Sequence, residues 1–190
     1  MDVIKAIRTR RSIGNVKDAM PDKEMIKQIL ESSRWAPNHY KTFPWRFAVL
    51  AGEGRNKLGE AYGKINVEAL QSPTEEERQN AYEKGLNKAK RAPVVIVIIV
   101  EPSAEEKVKW VEEVAATACA VQNMMLTAHA LGLASIWRTG EPAYHAIMKE
   151  TFGVSDQGLI LGFLYIGYPE SEKAAPEKKP YHAFTTWITE

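Results

Sequence analysis

The chain has 190 residues, of which 45% are hydrophobic and 26% charged, as expected for one folded domain over residues 1–190. It carries 25 Lys and Arg against 24 Asp and Glu, so a net charge of +1 gives no general attraction to nucleic acids. Its single cysteine excludes an intrachain disulfide and a zinc site built on two thiolates. We expect a soluble, cytoplasmic protein, because there is no apolar leader and the longest apolar run has seven residues, far fewer than the roughly 18 of a membrane span.

Apolar periodicity and the positions of Pro and Gly predict the elements of the first half of the chain. A helix capped by Asp2 is followed by a second helix over residues 21–36. Residues 46–50 are β-prone and predict a strand. Thr74 and Glu77 then have the capping-box spacing that begins a helix, so a further helix is expected before the next strand.

The second half is more apolar and predicts the centre of the fold. Val94–Val100 is β-branched and apolar on both faces, which is typical of a strand buried on both sides. A helix over residues 105–131 is apolar nearly all round, so it should be covered on most sides and hold Cys119 in the core. Ala134–Arg138 and Leu159–Gly167 predict two more strands. Together these elements predict an α+β fold with a mixed central sheet flanked by helices on both faces.

Three segments carry side chains suited to ligand binding, although each also has a purely structural interpretation. Residues 8–12 place three guanidinium groups and two hydroxyls together, as in a phosphate grip or in a solvated basic turn. Residues 35–45 put three aromatic residues and a histidine in a Pro-bounded loop that could stack on a planar ligand or simply pack on the core. Residues 137–140 put an Arg at a strand end, where open sheets meet their ligands. Together they suggest a site for flavin mononucleotide (FMN).

Other common motifs are missing from the sequence. There is no HExxH, paired CxxC, GxSxG or P-loop pattern. The pair Gly52 and Gly54 follows a strand, but Lys57 stands where a dinucleotide fingerprint has its third glycine. The sequence therefore indicates neither metal-dependent nor triad-based hydrolysis, and the glycine pair indicates a simple strand-to-helix turn.

The order of these segments resembles the nitroreductase family over nearly the whole chain. The carrying motifs are RxRRS, APNHxxxxPWRF, an Ala-rich helix, GLxSIWRTG and LGFLYIGYP. The likeness is closest to the minimal, single-domain bacterial NAD(P)H nitroreductases. It implies an intertwined homodimer with two FMN sites at the subunit interface, much of which the long helix would form. Residues 168–190 would be a tail that wraps the partner subunit, and residues 66–92 would form a lid or insert.

The resemblance also implies the residues of the site. Chemistry would take place on the flavin, so no catalytic side chain is required, although His39 could supply a proton to the acceptor. Many family members carry Lys or Arg two residues after the RRS serine, where this chain has Gly14. The implied cofactor-binding set is Arg10, Arg11 and Ser12 at the phosphate and ribityl chain, Trp137, Arg138 and Thr139 in the same subunit, and Trp35, Asn38 and His39 from the partner.

The implied activity is a ping-pong transfer of electrons from NAD(P)H through FMN to a nitroaromatic or quinone-type acceptor, with no metal. The alternatives are an FMN store or redox sensor without efficient turnover, and flavin chemistry on a special substrate such as dehalogenation or flavin destruction. The residues at positions 66–92 do not identify that substrate. Neither a nucleic acid nor a membrane is expected as a partner.

Overall fold

The computed structural model describes residues 1–189, which form a helix-covered β-sheet. The strands alternate with helices along most of the chain. The helices are α1 (Val3–Thr9), α2 (Lys23–Ser33), α3 (Asn56–Glu68), α4 (Glu75–Ala89), α5 (Trp110–Ala130), α6 (Glu141–Tyr144) and α7 (Ala146–Phe152), the strands are β1 (Trp45–Ala51), β2 (Val94–Val100), β3 (Ala134–Arg138) and β4 (Leu159–Gly167), and short 3-10 turns cover Gly52–Arg55 and Tyr181–Phe184.

The four strands form one sheet in the order β1-β2-β4-β3, and neighbouring strands are antiparallel. A parallel bridge between Ser12 and Ser135 adds the N-terminal segment beside β3. Gly162 interrupts β4 with a φ of 139°, next to a shift in the pairing of β2 with β4. The expected α+β fold is thus confirmed, and its parallel component is that bridge.

Strand β2 divides the core, because its alternate side chains enter two separate hydrophobic clusters. Val95, Val97 and Ile99 pack with residues of α3 and α7 on one face of the sheet. Ile96 and Ile98 pack with residues of α2 and α5 on the other face. The side chains of β2 are all buried, as the apolar run predicted, and the sheet has helices on both faces.

Helices α3 and α4 form a hairpin whose backbones approach closely. A Cβ added at Gly85 would lie 2.2 Å from the backbone nitrogen of Gly63, so neither position has room for a side chain. The capping box of Thr74 and Glu77 begins α4 as the sequence predicted. The segment expected as a lid therefore contains a helix packed against α3.

Two expectations about helix α5 were wrong. The helix begins at Trp110, not near residue 105, because Lys109 has extended backbone angles. Cys119 is exposed and does not lie in the core of its own subunit. In the tail, Trp187 lies outside any strand of the described residues, and its side chain is 77% exposed. Over residues 1–189, no helix combines the length and the apolar character needed to cross a bilayer.

Candidate functional site

The arginine-rich N-terminal segment lies beside the strand that ends in the predicted Trp-Arg-Thr sequence. The backbone nitrogen of Ile13 donates to the carbonyl oxygen of Ser135 at 3.1 Å, and Ser12 bridges to the same serine. Further along, the nitrogen of Lys17 donates to the carbonyl oxygen of Tyr168 at 2.8 Å. These bonds hold the segment along the edge of β3 and against the residue that follows β4. Two of the three predicted ligand segments are thereby brought together.

Gly14 makes room for the guanidinium of Arg138. A Cβ at position 14 would lie 3.0 Å from Nη2 of Arg138 and 3.8 Å from two side-chain carbons of Ile136. A longer side chain at position 14 and the guanidinium would therefore compete for one space. The absence of a side chain at Gly14 thus leaves this space to the guanidinium of Arg138, which comes from β3.

A cavity of about 810 Å³ opens at the end of β3, between that strand and the α3–α4 hairpin. Its volume lies in the range of sites that hold small-molecule ligands or cofactors. Trp137 forms part of its wall and is fixed by a hydrogen bond from its indole nitrogen to the carbonyl oxygen of Leu161 at 3.2 Å. The remaining lining residues are Tyr62, Asn66, Lys84, Asn87, Lys88, Arg91, Ile136, Arg138, Thr139, Gly140, Pro142, Ala143 and Phe163.

Four of these lining side chains are cations: Lys84, Lys88, Arg91 and Arg138. No acidic side chain of residues 1–189 lines the cavity, and the ion pairs found in that part of the chain include none of the four. Three of the four were missed by sequence reasoning. The available signal was the four-residue spacing of Lys84 and Lys88, which a helix places on one side.

Two of these cations lie against tyrosine rings, of which Tyr62 lines the cavity. The ammonium of Lys88 lies 4.2 Å from the ring centroid of Tyr62, and the guanidinium carbon of Arg138 lies 5.7 Å from that of Tyr165. Burial lowers the pKa of Lys88, and the charges of Arg91 and Arg138 lower it further. Burial raises the pKa of Tyr62, so this phenol stays neutral.

Several arginine nitrogens near this region are buried without a hydrogen-bond partner. They are Nη1 of Arg10, Nε of Arg11 and Nε of Arg138. Burial lowers the pKa of Arg10, and the neighbouring charge of Arg11 adds to the effect. Buried donors in native proteins are normally paired, so these guanidinium nitrogens are unsatisfied donors that an acceptor such as a phosphate would satisfy.

The third predicted segment lies away from the cavity in the same subunit. Trp35 is 80% exposed and lines a separate hollow of about 510 Å³ with Arg34, Phe43 and Trp45. The ring nitrogen Nδ1 of His39 lies 3.4 Å from a carboxylate oxygen of Glu112, and the ring of His39 stacks on Tyr40. The side chain of Asn38 is held by Glu113 on α5.

No group of three or more His, Cys, Asp or Glu side chains within residues 1–189 could hold a metal ion. The side chains that line the cavity offer cations, amide groups and aromatic rings to a ligand.

The fold and the cavity define a class of α+β proteins with helices on both faces of the sheet. The model of the Nitroreductase family matches residues 7–168, and the chain belongs to this family. YdjA of Escherichia coli K12, which is called an NAD(P)H nitroreductase, is 31% identical over 95% of this chain and 98% of its own length. YfhC of Bacillus subtilis is named for the same activity. It is 30% identical over 91% of this chain and 86% of its own length.

Solved structures agree with this assignment. A nitroreductase-like family protein from Bacillus cereus superposes with a TM-score of 0.85 at 28% identity, covering 99% of this chain and 96% of its own. NfnB from a Sphingopyxis species strain, described as FMN- and NADPH-dependent, has the same fold, with a TM-score of 0.78 at 19% identity over the full length of both chains. The chain is thus an oxidoreductase of the NAD(P)H-dependent nitroreductase type.

Proposed function

We propose that the protein is an FMN-dependent enzyme that passes electrons from NAD(P)H to a nitroaromatic or quinone-type acceptor. The observation that carries this proposal is the buried, unpartnered guanidinium nitrogen of Arg138 in the wall of a ligand-sized cavity. Arg10 and Arg11, which carry further unpartnered nitrogens, precede the residues that bond to the same strand. An anionic cofactor with a planar ring would meet both features. The names of YdjA and YfhC and of the FMN-dependent NfnB support the same reaction class.

The residues present fit this cofactor. Arg10, Arg11 and Ser12 would bind its phosphate and ribityl chain, because unpaired guanidinium nitrogens favour a phosphate oxygen. Trp137 and Thr139 would lie against its ring system. Arg138 would donate to the polar edge of the ring, in the space that Gly14 leaves free.

The partner subunit would complete the site. In one subunit Trp35 is exposed and His39 points away from the core, although both belong to an aromatic loop. We propose that a homodimer brings Trp35, Asn38 and His39 of one subunit to the cavity of the other, and that residues 168–190 wrap around it. The exposed apolar side chains of Phe184, Trp187 and Ile188 in this tail favour such a contact.

When bound, FMN supplies the redox chemistry between the two substrates. The chain itself binds and orients the cofactor, limits access of water and supplies cationic donors. Donor and acceptor would use the same cavity in turn, as a ping-pong mechanism requires, and His39 of the partner would hold a proton near the acceptor. The segment 66–92 would act as the lid of this cavity, and we expect the enzyme to work in the cytoplasm.

The same features would also serve an FMN store or redox sensor that turns over slowly. One experiment separates the two functions. The purified protein is loaded with FMN, and its visible spectrum is followed anaerobically after addition of NADH and then of NADPH. Rapid bleaching that a nitroaromatic reverses supports the enzyme. Stable flavin bands would favour the store or sensor, and failure to bind FMN would exclude both.

A further inference from the structure

The cavity has more positive charge than a flavin ring needs. Lys84, Lys88, Arg91 and Arg138 line it, and no carboxylate of residues 1–189 does. The lining includes neither Arg10 nor Arg11, the residues assigned to the FMN phosphate. Because an oxidised flavin ring is uncharged, the ring alone would leave several of these cations without an anion.

Lys84 is the cation that the fold explains least. Lys88 lies in the last turn of α4, where the helix dipole favours positive charge, and Arg91 follows the end of the helix. Lys84 lies one turn earlier and has no hydrogen bond or ion pair within the described residues. It is exposed and also lines the cavity, so it lies at the mouth, where the cavity meets the solvent.

Close packing of like charges has a cost that an anion would remove. The pKa of Lys88 is lowered by burial and by Arg91 and Arg138. A carboxylate bound among these groups would offset that repulsion, and the site would then prefer an anion to a neutral molecule of the same shape.

We infer that the electron acceptor of this enzyme is a small aromatic carrying a carboxylate, and that Lys84 selects it at the mouth of the cavity. This inference rests on the proposed function. Asn66 and Asn87 also line the cavity and offer amide groups to the same carboxylate. A dinucleotide phosphate is the other source of negative charge, and the experiment below distinguishes it.

The test compares 4-nitrobenzoate with 4-nitrobenzamide as acceptors for the FMN-loaded protein, and benzoate with benzamide as unreactive ligands in calorimetric titrations. We expect the anion to be favoured in both assays, and Lys84→Gln to reduce its advantage about three- to tenfold. Lys90→Gln is the matched control, because it removes the same charge from an exposed lysine that does not line the cavity. High salt should reduce the preference.

The outcomes separate the inference from the proposed function. Benzoate binding that depends on Lys84 without any nitro reduction would preserve the anion site and contradict the enzyme. Nitro reduction with equal use of both acceptors would preserve the enzyme and overturn the inference. If Lys84→Gln weakens the use of NADPH but not that of NADH or nitrobenzoate, the lysine belongs to a dinucleotide phosphate. If the variant loses affinity for FMN by the same factor as for benzoate, the lysine belongs to the cofactor site. Either result overturns the inference.

Discussion

The buried carboxylate of Glu113 accepts a hydrogen bond from the Thr42 hydroxyl at 2.6 Å, across 71 positions of the chain. The same carboxylate accepts from the side-chain nitrogen of Asn38 at 3.3 Å and from the backbone nitrogen of Ser103 at 3.2 Å. Glu113 is 1% exposed, and these partners are neutral donors. It therefore ties the aromatic loop to helix α5.

The loop needs such an anchor because its backbone is strained. Lys41 and Phe43 flank Thr42 with φ values of 55° and 51°, in the left-handed region that costs a side chain about 1 kcal/mol or more. The backbone nitrogen of Phe43 donates to the side-chain oxygen of Asn38 at 2.9 Å. Hydrogen bonds that converge on Glu113 and Asn38 thus offset this strain.

Glu113→Gln should destabilise the protein by about 1–3 kcal/mol, because the amide turns a donor toward at least one of the donors that the carboxylate accepts. Urea unfolding measures this change. Glu112→Gln is the control, since its partly exposed carboxylate only meets His39 at 3.4 Å. Thr42→Ser should lower the free energy of unfolding less than Thr42→Val does, because valine keeps the shape of the side chain but lacks the hydroxyl. Equal stability of all four variants would show that the anchor is unimportant.

Arg138→Ala should weaken FMN binding about ten- to a hundredfold while leaving the unfolding midpoint nearly unchanged, because it removes a charge-assisted donor from a cavity wall. Fluorescence titration of the apoprotein with FMN measures the affinity. Arg78→Ala removes a charge from an exposed site on α4 and should leave FMN affinity as it is. Unaltered affinity in the Arg138 variant would contradict the placement of the cofactor.

His129 should make the protein less stable in mild acid. Burial lowers its pKa below the usual 6.5, and the charges of Arg10 and Arg11 add to the shift. The unfolded chain then binds a proton that the folded chain resists, so stability falls as the pH drops below about 6.5 toward the folded pKa. Above that window both states are neutral and the effect is absent.

Melting temperatures at pH 8 and pH 5.5 test this expectation. His129→Gln should lose less stability across the interval than the parent, whereas His182→Gln, in the exposed tail, should follow the parent. An equal fall in all three proteins would assign the acid sensitivity to other groups. Excess FMN should reduce the fall, because a phosphate near Arg10 offsets the repulsion.

The sequence predicted the sheet well because local and long-range forces agree there. Val94–Val100, Ala134–Arg138 and Leu159–Gly167 have the predicted bounds, since a proline or glycine lies within two residues of each end and each strand is apolar over most of its length. The beginning of α5 was mispredicted because acidic and basic residues after position 104 are compatible with a helix. The extended backbone of Lys109 depends on tertiary contacts that the pattern does not contain.

The candidate site was half predictable. Arg10 and Arg138 each stand among several polar or charged residues that are adjacent in the sequence, so the sequence alone indicates them as candidate ligands. The cations of α4 lie in a polar segment that looks like any solvated helix, and only the packing of α3 against α4 turns Lys84 and Lys88 toward a cavity. The burial of Cys119 was mispredicted, because an apolar helix face can be one that a second subunit covers and not one that packs in the core of its own subunit.

Gly85→Ala should destabilise the protein by about 1–3 kcal/mol or more, because its methyl group would lie within 2.4 Å of the backbone of Gly63. The hairpin would open and move α4 away from the cavity, so benzoate or FMN binding should weaken as well. Gly54→Ala is the control, since nothing lies within 4 Å of its added methyl. A stable Gly85 variant would mean that α4 shifts without cost.

Cys119→Arg should convert a dimer into monomers and reduce FMN binding with it. Val111, Ala115, Cys119 and Gln122 form an exposed stripe at helical spacing on α5, the helix expected to form much of the interface. An arginine there would place an unpaired charge in a buried contact.

Size-exclusion chromatography with light scattering should give twice 21.3 kDa for the parent and 21.3 kDa for the variant. Asn80→Arg, on the exposed side of α4, should remain dimeric. A parent that is monomeric and still retains FMN would contradict the shared site, and a dimeric Cys119 variant with full FMN content would move the interface away from this stripe.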